Sequence, residues 1–290
     1  MSHNVTVMLP GGLWQNGACH REAALRPLSG RDEAFLLEGD ALLPAQRTTA
    51  LLTRCLMRLG PLAPVTPQVV RNLTAGDREA LLLHLRHLTL GDRLQCVLSC
   101  PEPDCGEKMD LGLRVSDLLL PPYPHTHALH ETMVRENDAA YRVRFRLPTG
   151  ADQEAAAGLA HSDPHSAADL MLRRCLESVI ADEGGGEPIE DCPPAVAWQL
   201  PAIMAELDPQ AELILNLTCP VCGHVFSAIF DTAAYFFQEL AGRMRHLYRE
   251  VHLLAFYYHW SEAEIMGMTA RKRHRYLDLL AEALTEDGRR

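Results

Sequence analysis

Two short cysteine motifs, far apart in the chain, constrain the fold more than any other feature. Cys100-Pro-Glu-Pro-Asp-Cys105-Gly106 and Cys219-Pro-Val-Cys222-Gly223 each carry proline after the first thiol and glycine after the second. Strand-like runs flank both: Arg93 to Ser99 and Glu107 to Val115 around the first, Ala211 to Thr218 and His224 to Phe230 around the second. Each motif therefore reads as a knuckle at the tip of a β-hairpin, its glycine permitting the left-handed backbone that turns amides toward sulfur. Two knuckles supply the four thiolates that surround one zinc ion in a zinc-ribbon-like element. The expectation is one zinc per chain on Cys100, Cys105, Cys219 and Cys222. Four protein ligands leave no open position, so the ion would be structural. Cys96 and His224 are reserve ligands, and Cys96 suits the core better.

Composition narrows the rest. The nine cysteines are an odd number, and Met1 to Pro10 shows no basic segment followed by an apolar one, so a cytoplasmic, reducing setting and metal-bound thiols are expected. No apolar run approaches the roughly 18 residues that span a bilayer, so no membrane contact is expected. The formal charge of −11 argues against broad attraction to nucleic acid. Phosphate-binding and nucleophile-elbow motifs are lacking: Gly184 to Gly186 is not followed by Lys and Ser or Thr, and no Gly-x-Ser-x-Gly occurs. No small-molecule substrate is implied.

Histidines offer weaker signals. His84 and His87 sit on a leucine-rich helix. His125, His127 and His130, joined by His161 and His165, would be needed for a second, hydrolytic metal site; surface histidines are the plainer reading. His130-Glu131 fails the His-x-Glu spacing of the zinc deaminases.

Periodicity sets out the elements. Val5, Val7 and Leu9 read as a strand, Gly11-Gly12 as its turn, and Cys19 to Leu25 as the returning strand. Helices are expected from Ser29, from Ala45 to Leu59, and from Asp77 to Leu88. Between the knuckles come a strand (Tyr141 to Leu147) and helices from Asp152 to Leu159, His165 to Val179 and Ala195 to Leu207, the last interrupted near Pro201. Asp182 to Glu190 reads as a loop. One long helix is expected from Thr232 to Tyr258, then a capping box at Ser261 and Glu264, and a last helix from Thr269 to Leu284. The fold class is α+β. Its parts are an N-terminal β/α region (1–92), a split zinc-ribbon-like element (93–115 with 211–231), an inserted α/β subdomain (116–210) and a C-terminal helical region (232–290). The knuckles, with their flanking strands, form the one internal repeat in the pattern.

The C-terminal run Arg249-Glu-Val-His-Leu-Leu-Ala-Phe-Tyr-Tyr-His-Trp-Ser-Glu-Ala-Glu-Ile-Met-Gly-Met, with the helix after it, resembles the baseplate hub assembly proteins of T-even-type contractile phages and related injection systems. Met8-Leu-Pro-Gly-Gly-Leu and Leu25-Arg-Pro-Leu-Ser-Gly-Arg-Asp-Glu33 are similar in style to phage tail assembly proteins. The resemblance implies a non-enzymatic assembly factor or minor structural component whose partners are baseplate hub or spike proteins. Phe256, Tyr257, Tyr258, Trp260, Arg271, Arg273 and Tyr276 are its candidate contact residues, since aromatic and arginine side chains concentrate binding energy. The alternative is a zinc-ribbon adaptor that grips nucleic acid through Arg271, Arg273 and Arg275.

Overall fold

The computed structural model describes residues 4–287 apart from 40, 138, 182–188 and 190. The expected loop Asp182 to Glu190 thus lies, but for Ile189, outside the described residues. The chain is a mixed α+β protein of small antiparallel sheets, finished by helices.

Its first half runs β1 (Val5–Gln15), β2 (Ala18–Leu25), α1 (Gly30–Glu38), α2 (Pro44–Cys55), β3 (Leu56–Leu59), α3 (Pro67–Arg71), α4 (Ala75–Leu90), β4 (Arg93–Ser99), β5 (Lys108–Arg114) and α5 (Val115–Leu118). Strand β2 is central in the sheet β1-β2-β3. Gly11-Gly12 does not turn the chain. The ladder is interrupted there because both glycine amides leave it for the buried carboxylate of Asp77 (2.8 and 2.7 Å). The turn comes at Asn16-Gly17, both with positive φ, as a tight hairpin demands. The main core lies beneath this sheet, where Leu9, Leu25, Leu51, Leu52, Leu81, Leu82 and Phe236 are fully buried.

The second half repeats the plan with β6 (His130–Glu136), β7 (Ala139–Phe145), α6 (Gly150–Ala156), α7 (Pro164–Cys175), β8 (Leu176–Ala181), α8 (Pro194–Leu207), β9 (Leu213–Thr218) and β10 (Val225–Phe230). From β2 to β3 and from β7 to β8 the likeness holds residue by residue at a spacing of 120 positions. Ala23 pairs with Leu59 and Ala24 with Arg58, then a one-residue bulge sets Leu25 against Leu56. Val143 pairs with Val179 and Arg144 with Ser178, and the same bulge sets Phe145 against Leu176. Asp32 is fully buried, clasped by Arg26 (2.6 Å) and Arg54 (2.9 Å). Asp152 is equally buried, clasped by Arg146 (2.6 Å) and Arg174 (2.8 Å). Arg26 and Arg146 also donate to the carbonyls of Arg54 and Arg174, each at 2.8 Å. The repeat seen at the knuckles thus extends through both halves.

That shared plan explains two departures from the expected helices. The runs Ala45 to Leu59 and His165 to Val179 each divide into helix and strand, at Cys55/Leu56 and Cys175/Leu176. Arg26 and Arg146 take the carbonyls of Cys55 and Cys175 with their backbone amides (3.0 Å in both). A carbonyl held by a neighbouring strand no longer serves the next helical turn, and leucine tolerates either state. Helix α8 runs through Pro201 without stopping.

After β10 come α9 (Thr232–Met244), α10 (Leu247–Tyr258), α11 (Glu262–Met266) and α12 (Ala270–Asp287). The single helix expected from Thr232 to Tyr258 is broken at Arg245-His246, where α10 turns onto α1. The capping box at Ser261 and Glu264 is present. Among the described residues no helix is long and apolar enough to cross a membrane.

Candidate metal centre and contact surfaces

Hairpins β4–β5 and β9–β10 face each other across a shared apolar layer of Leu94, Cys96, Leu113, Leu213, Leu215 and Phe230. The two knuckles close alike. Cys100 N–H donates to Glu107 O (2.8 Å) and Cys219 N–H to His224 O (2.9 Å). Gly106 (φ 58°) and Gly223 (φ 73°) adopt the left-handed conformation the motif requires.

These turns bring the sulfurs of Cys100, Cys105, Cys219 and Cys222 within 4.8 Å of one another. Cys100 Sγ lies 3.6 Å from Cys222 Sγ, and Cys105 Sγ 3.8 Å from Cys219 Sγ. A tetrahedral ion with Zn–S bonds of about 2.3 Å holds its sulfurs about 3.8 Å apart. A disulfide needs about 2.05 Å, and all nine cysteines are free. The donor set therefore fits a tetrahedral thiophilic cation. Backbone amides of Cys222 and Val221, aimed at Cys219, lower its thiol to about 7, whereas burial raises the Cys100 thiol to about 12. The group can begin to ionise at neutral pH, but four adjacent thiolates need a cation to persist.

The reserve ligands stay outside. Cys96 is half-buried in the apolar layer, and His224 stacks on Phe226 with Nδ1 3.3 Å from Glu102. The histidine reading fares no better. Among the described residues the cysteine group is the one cluster of potential metal ligands. His127 and His130 meet only edge to face, and His130 lies on Phe145. His84 is lowered to about 4 by burial, and His87 approaches Asp92.

The C-terminal candidates divide. Phe256 and Tyr257 are exposed, at 64% and 42%. Tyr258, Trp260 and Tyr276 instead pack on one another, Tyr258 stacked on Trp260 and Tyr276 edge-on to both, with centroids 4.7 to 5.7 Å apart, and hold α10 to α12. Arg273 is not a surface cation: at 1% exposure it reaches Glu33 (2.6 Å) and Glu250 (2.8 Å). Arg271 and Arg275 line an open cleft of about 800 Å³ between the end of α4 and the start of α12, along with Lys272 and Arg243. The sequence reading missed the two Arg–Asp–Arg clasps. Their signal was available in Arg26-Pro-Leu-Ser-Gly-Arg-Asp32 and Arg146-Leu-Pro-Thr-Gly-Ala-Asp152, 120 residues apart.

No curated protein and no solved structure matches the chain significantly. One family model does, described as "T4 bacteriophage base plate protein", over residues 25–238. That span takes in both arginine clasps and both knuckles, and most of the chain. The chain belongs to the T4 bacteriophage base plate protein family.

Proposed function

We propose that this protein is a non-enzymatic baseplate component whose structural zinc clamps its two halves and which works by binding neighbouring baseplate proteins. The observation that carries the clamp is the meeting of four sulfurs at tetrahedral spacing, two from each half. Membership of the baseplate family supplies the setting. The zinc would hold the hairpins in register, and its four thiolates would leave it no catalytic position. Phe256 and Tyr257, with Arg271, Lys272 and Arg275 on α12, supply contacts suited to a hub or spike protein. Its finer role is either an assembly factor that departs or a minor component that stays.

Two measurements test this. Purified protein should carry one zinc per chain, and Cys219→Ser should lose both the metal and thermal stability; unchanged values for both would remove the clamp. Quantitative mass spectrometry of purified particles beside producer-cell lysate separates the two roles. Stoichiometric presence in particles marks a component. Abundance in lysate alone, with defective particles on deletion, marks an assembly factor, and intact particles on deletion would refute the baseplate role. The nucleic-acid alternative loses a principal anchor because Arg273 is enclosed by Glu33 and Glu250.

A further inference from the structure

Both halves use the same rule to receive a helix. In the second half, α6 begins at Thr149-Gly150, and Gly150 N–H donates to Leu73 O at 3.0 Å. The helix beginning at Thr74-Ala75 lies against it and sends buried Arg78 to Gln153 at 2.9 Å. In the first half, α1 begins at Ser29-Gly30, and Gly30 N–H donates to Met268 O, also at 3.0 Å. The helix beginning at Thr269-Ala270 lies against it and sends buried Arg273 to Glu33 at 2.6 Å. Glu33 and Gln153 are equivalent positions of the repeat.

The two received segments also match. Each has a five-residue helix capped by Thr66 or Ser261, then an aliphatic residue (Leu73 or Met268), Thr-Ala, and arginine three residues on. Both glycines permit a close approach. A Cβ at Gly30 would stand 3.1 Å from Met266 Cα, and one at Gly150 would strike the Arg78 guanidinium.

The two segments are anchored differently. Helix α4 runs through the main core, touching β1, α2 and α9. The segment on α1 belongs instead to an arm, α10 to α12, with a small core of its own: Leu247, Val251, Leu254, Ile265 and Met266. In that core the body is represented by Ala34 and Leu37 of α1. The arm lies beyond residues 25–238, the span of the family match.

The joint to the arm departs little from a continuous helix. Arg245 (φ −53°, ψ −24°) and His246 (φ −102°, ψ −3°) are both already near helical geometry. Neither is glycine or proline, and the sequence pattern favours one helix through them. A modest turn at His246 would merge α9 and α10, pair amides now left open at the start of α10, and swing the arm away from its own α1.

We propose that the α10–α12 arm is exchangeable: α9 and α10 merge into one helix, and the arm docks on the Ser29–Glu33 groove of a second copy of this chain. Arg273 of one copy then meets Glu33 of the other, through the same contacts that the single chain makes within itself. Exchange of identical contacts gives a dimer at low cost. This assignment is independent of the zinc and of the baseplate role.

The test uses the full chain and charge reversal. Glu33→Arg and Arg273→Glu each place like charges in the groove of a single chain, so either variant alone should release its arm and stay largely monomeric by light scattering. Mixed, they restore one native and one reversed pair across an exchanged heterodimer, which should then form. If the mixture remains two monomers although circular dichroism shows both folded, the proposal fails; equal dimerisation of each variant alone also overturns it. The hinge gives a second readout that leaves the groove intact. Glycine costs a helix about 1 kcal/mol relative to alanine, and two hinges straighten per dimer. The dimerisation constant of His246→Ala should therefore exceed that of His246→Gly about thirtyfold, and equal constants would exclude a merged helix.

Discussion

Asp32 and Asp152 show how much one side chain can organise when it is placed twice. Burial alone would raise the pKa of Asp32, but hydrogen bonds from Arg26 and Ser29 outweigh it and bring the carboxyl to about 2. Asp152 is lowered in the same way by Arg146 and Thr149. A group whose pKa is depressed in the folded state stabilises the fold above its unfolded value and loses that contribution as pH falls through the folded one. The clasps should therefore be fully effective above about pH 5 and fail progressively toward pH 2, at about 2 kcal/mol for Asp32. Thermal melts across that range should show the acid-side loss reduced in Asp32→Asn and in Asp152→Asn. Replacing either by alanine at neutral pH should cost about 2–3 kcal/mol, since it removes the buried carboxylate that takes charged hydrogen bonds from two guanidiniums, themselves partly open to solvent. Urea unfolding measures this, and a loss below about 1 kcal/mol would show the clasps to be ornamental. Asp77 has the opposite sign. Burial raises it to about 7 against the pull of two glycine amides and with help from nearby Asp208. Its contribution is present at low pH and declines as pH rises from about 4 through 7.

At the scale of elements, what the sequence disclosed followed from the range of the interactions. The knuckles were readable because their chemistry is local: two thiols and a glycine specify a turn without reference to the rest of the fold. Helix α4 was readable because Leu81, Leu82 and Leu85 repeat at helical spacing, and the capping box at Ser261 is complete within four residues. Strands β3 and β8 were concealed because Leu56-Met-Arg-Leu59 and Leu176-Glu-Ser-Val-Ile-Ala181 continue the preceding helical pattern. What ends each helix is an amide from residue 26 or 146, remote in sequence. The break between α9 and α10 was concealed for the same reason, since its cause is the docking of Ile265 and Met266 near Ala34. Close approach also sets an element-scale prediction. A Cβ at Gly76 would collide with the carboxylate of Asp208, which accepts the Gly76 amide at 2.9 Å. Gly76→Ala should cost about 1–3 kcal/mol, read as a lowered urea midpoint with an unchanged slope.

Across the whole molecule, each half supplies two of the four sulfurs and neither can complete the site. The resemblance to contractile-tail proteins was carried mainly by the C-terminal arm, with Met8 to Leu13 and Leu25 to Glu33 as further segments; the family match takes in Leu25 to Glu33 and most of the two halves, and stops before the arm. The two signals differ in place: the family match lies on the halves, and the aromatic turn lies on the arm. The paired plan also changes what holds the protein together. Between Cys105 and Cys219 the peptide is one route from the first half to the second; the shared apolar layer and the contacts of Gly150, Gln153 and Asp208 with Leu73, Arg78 and Gly76 are another, and an ion on the four thiolates would be a third. A single proteolytic cut in that interval should leave a particle of unchanged size on gel filtration, although denaturing electrophoresis shows two fragments. A chelator added to the nicked protein should then loosen the fragments while leaving the uncut chain in one piece. In mechanical terms the ion would be a rivet, and the chain between the knuckles would become a tether that can be severed without the assembly coming apart.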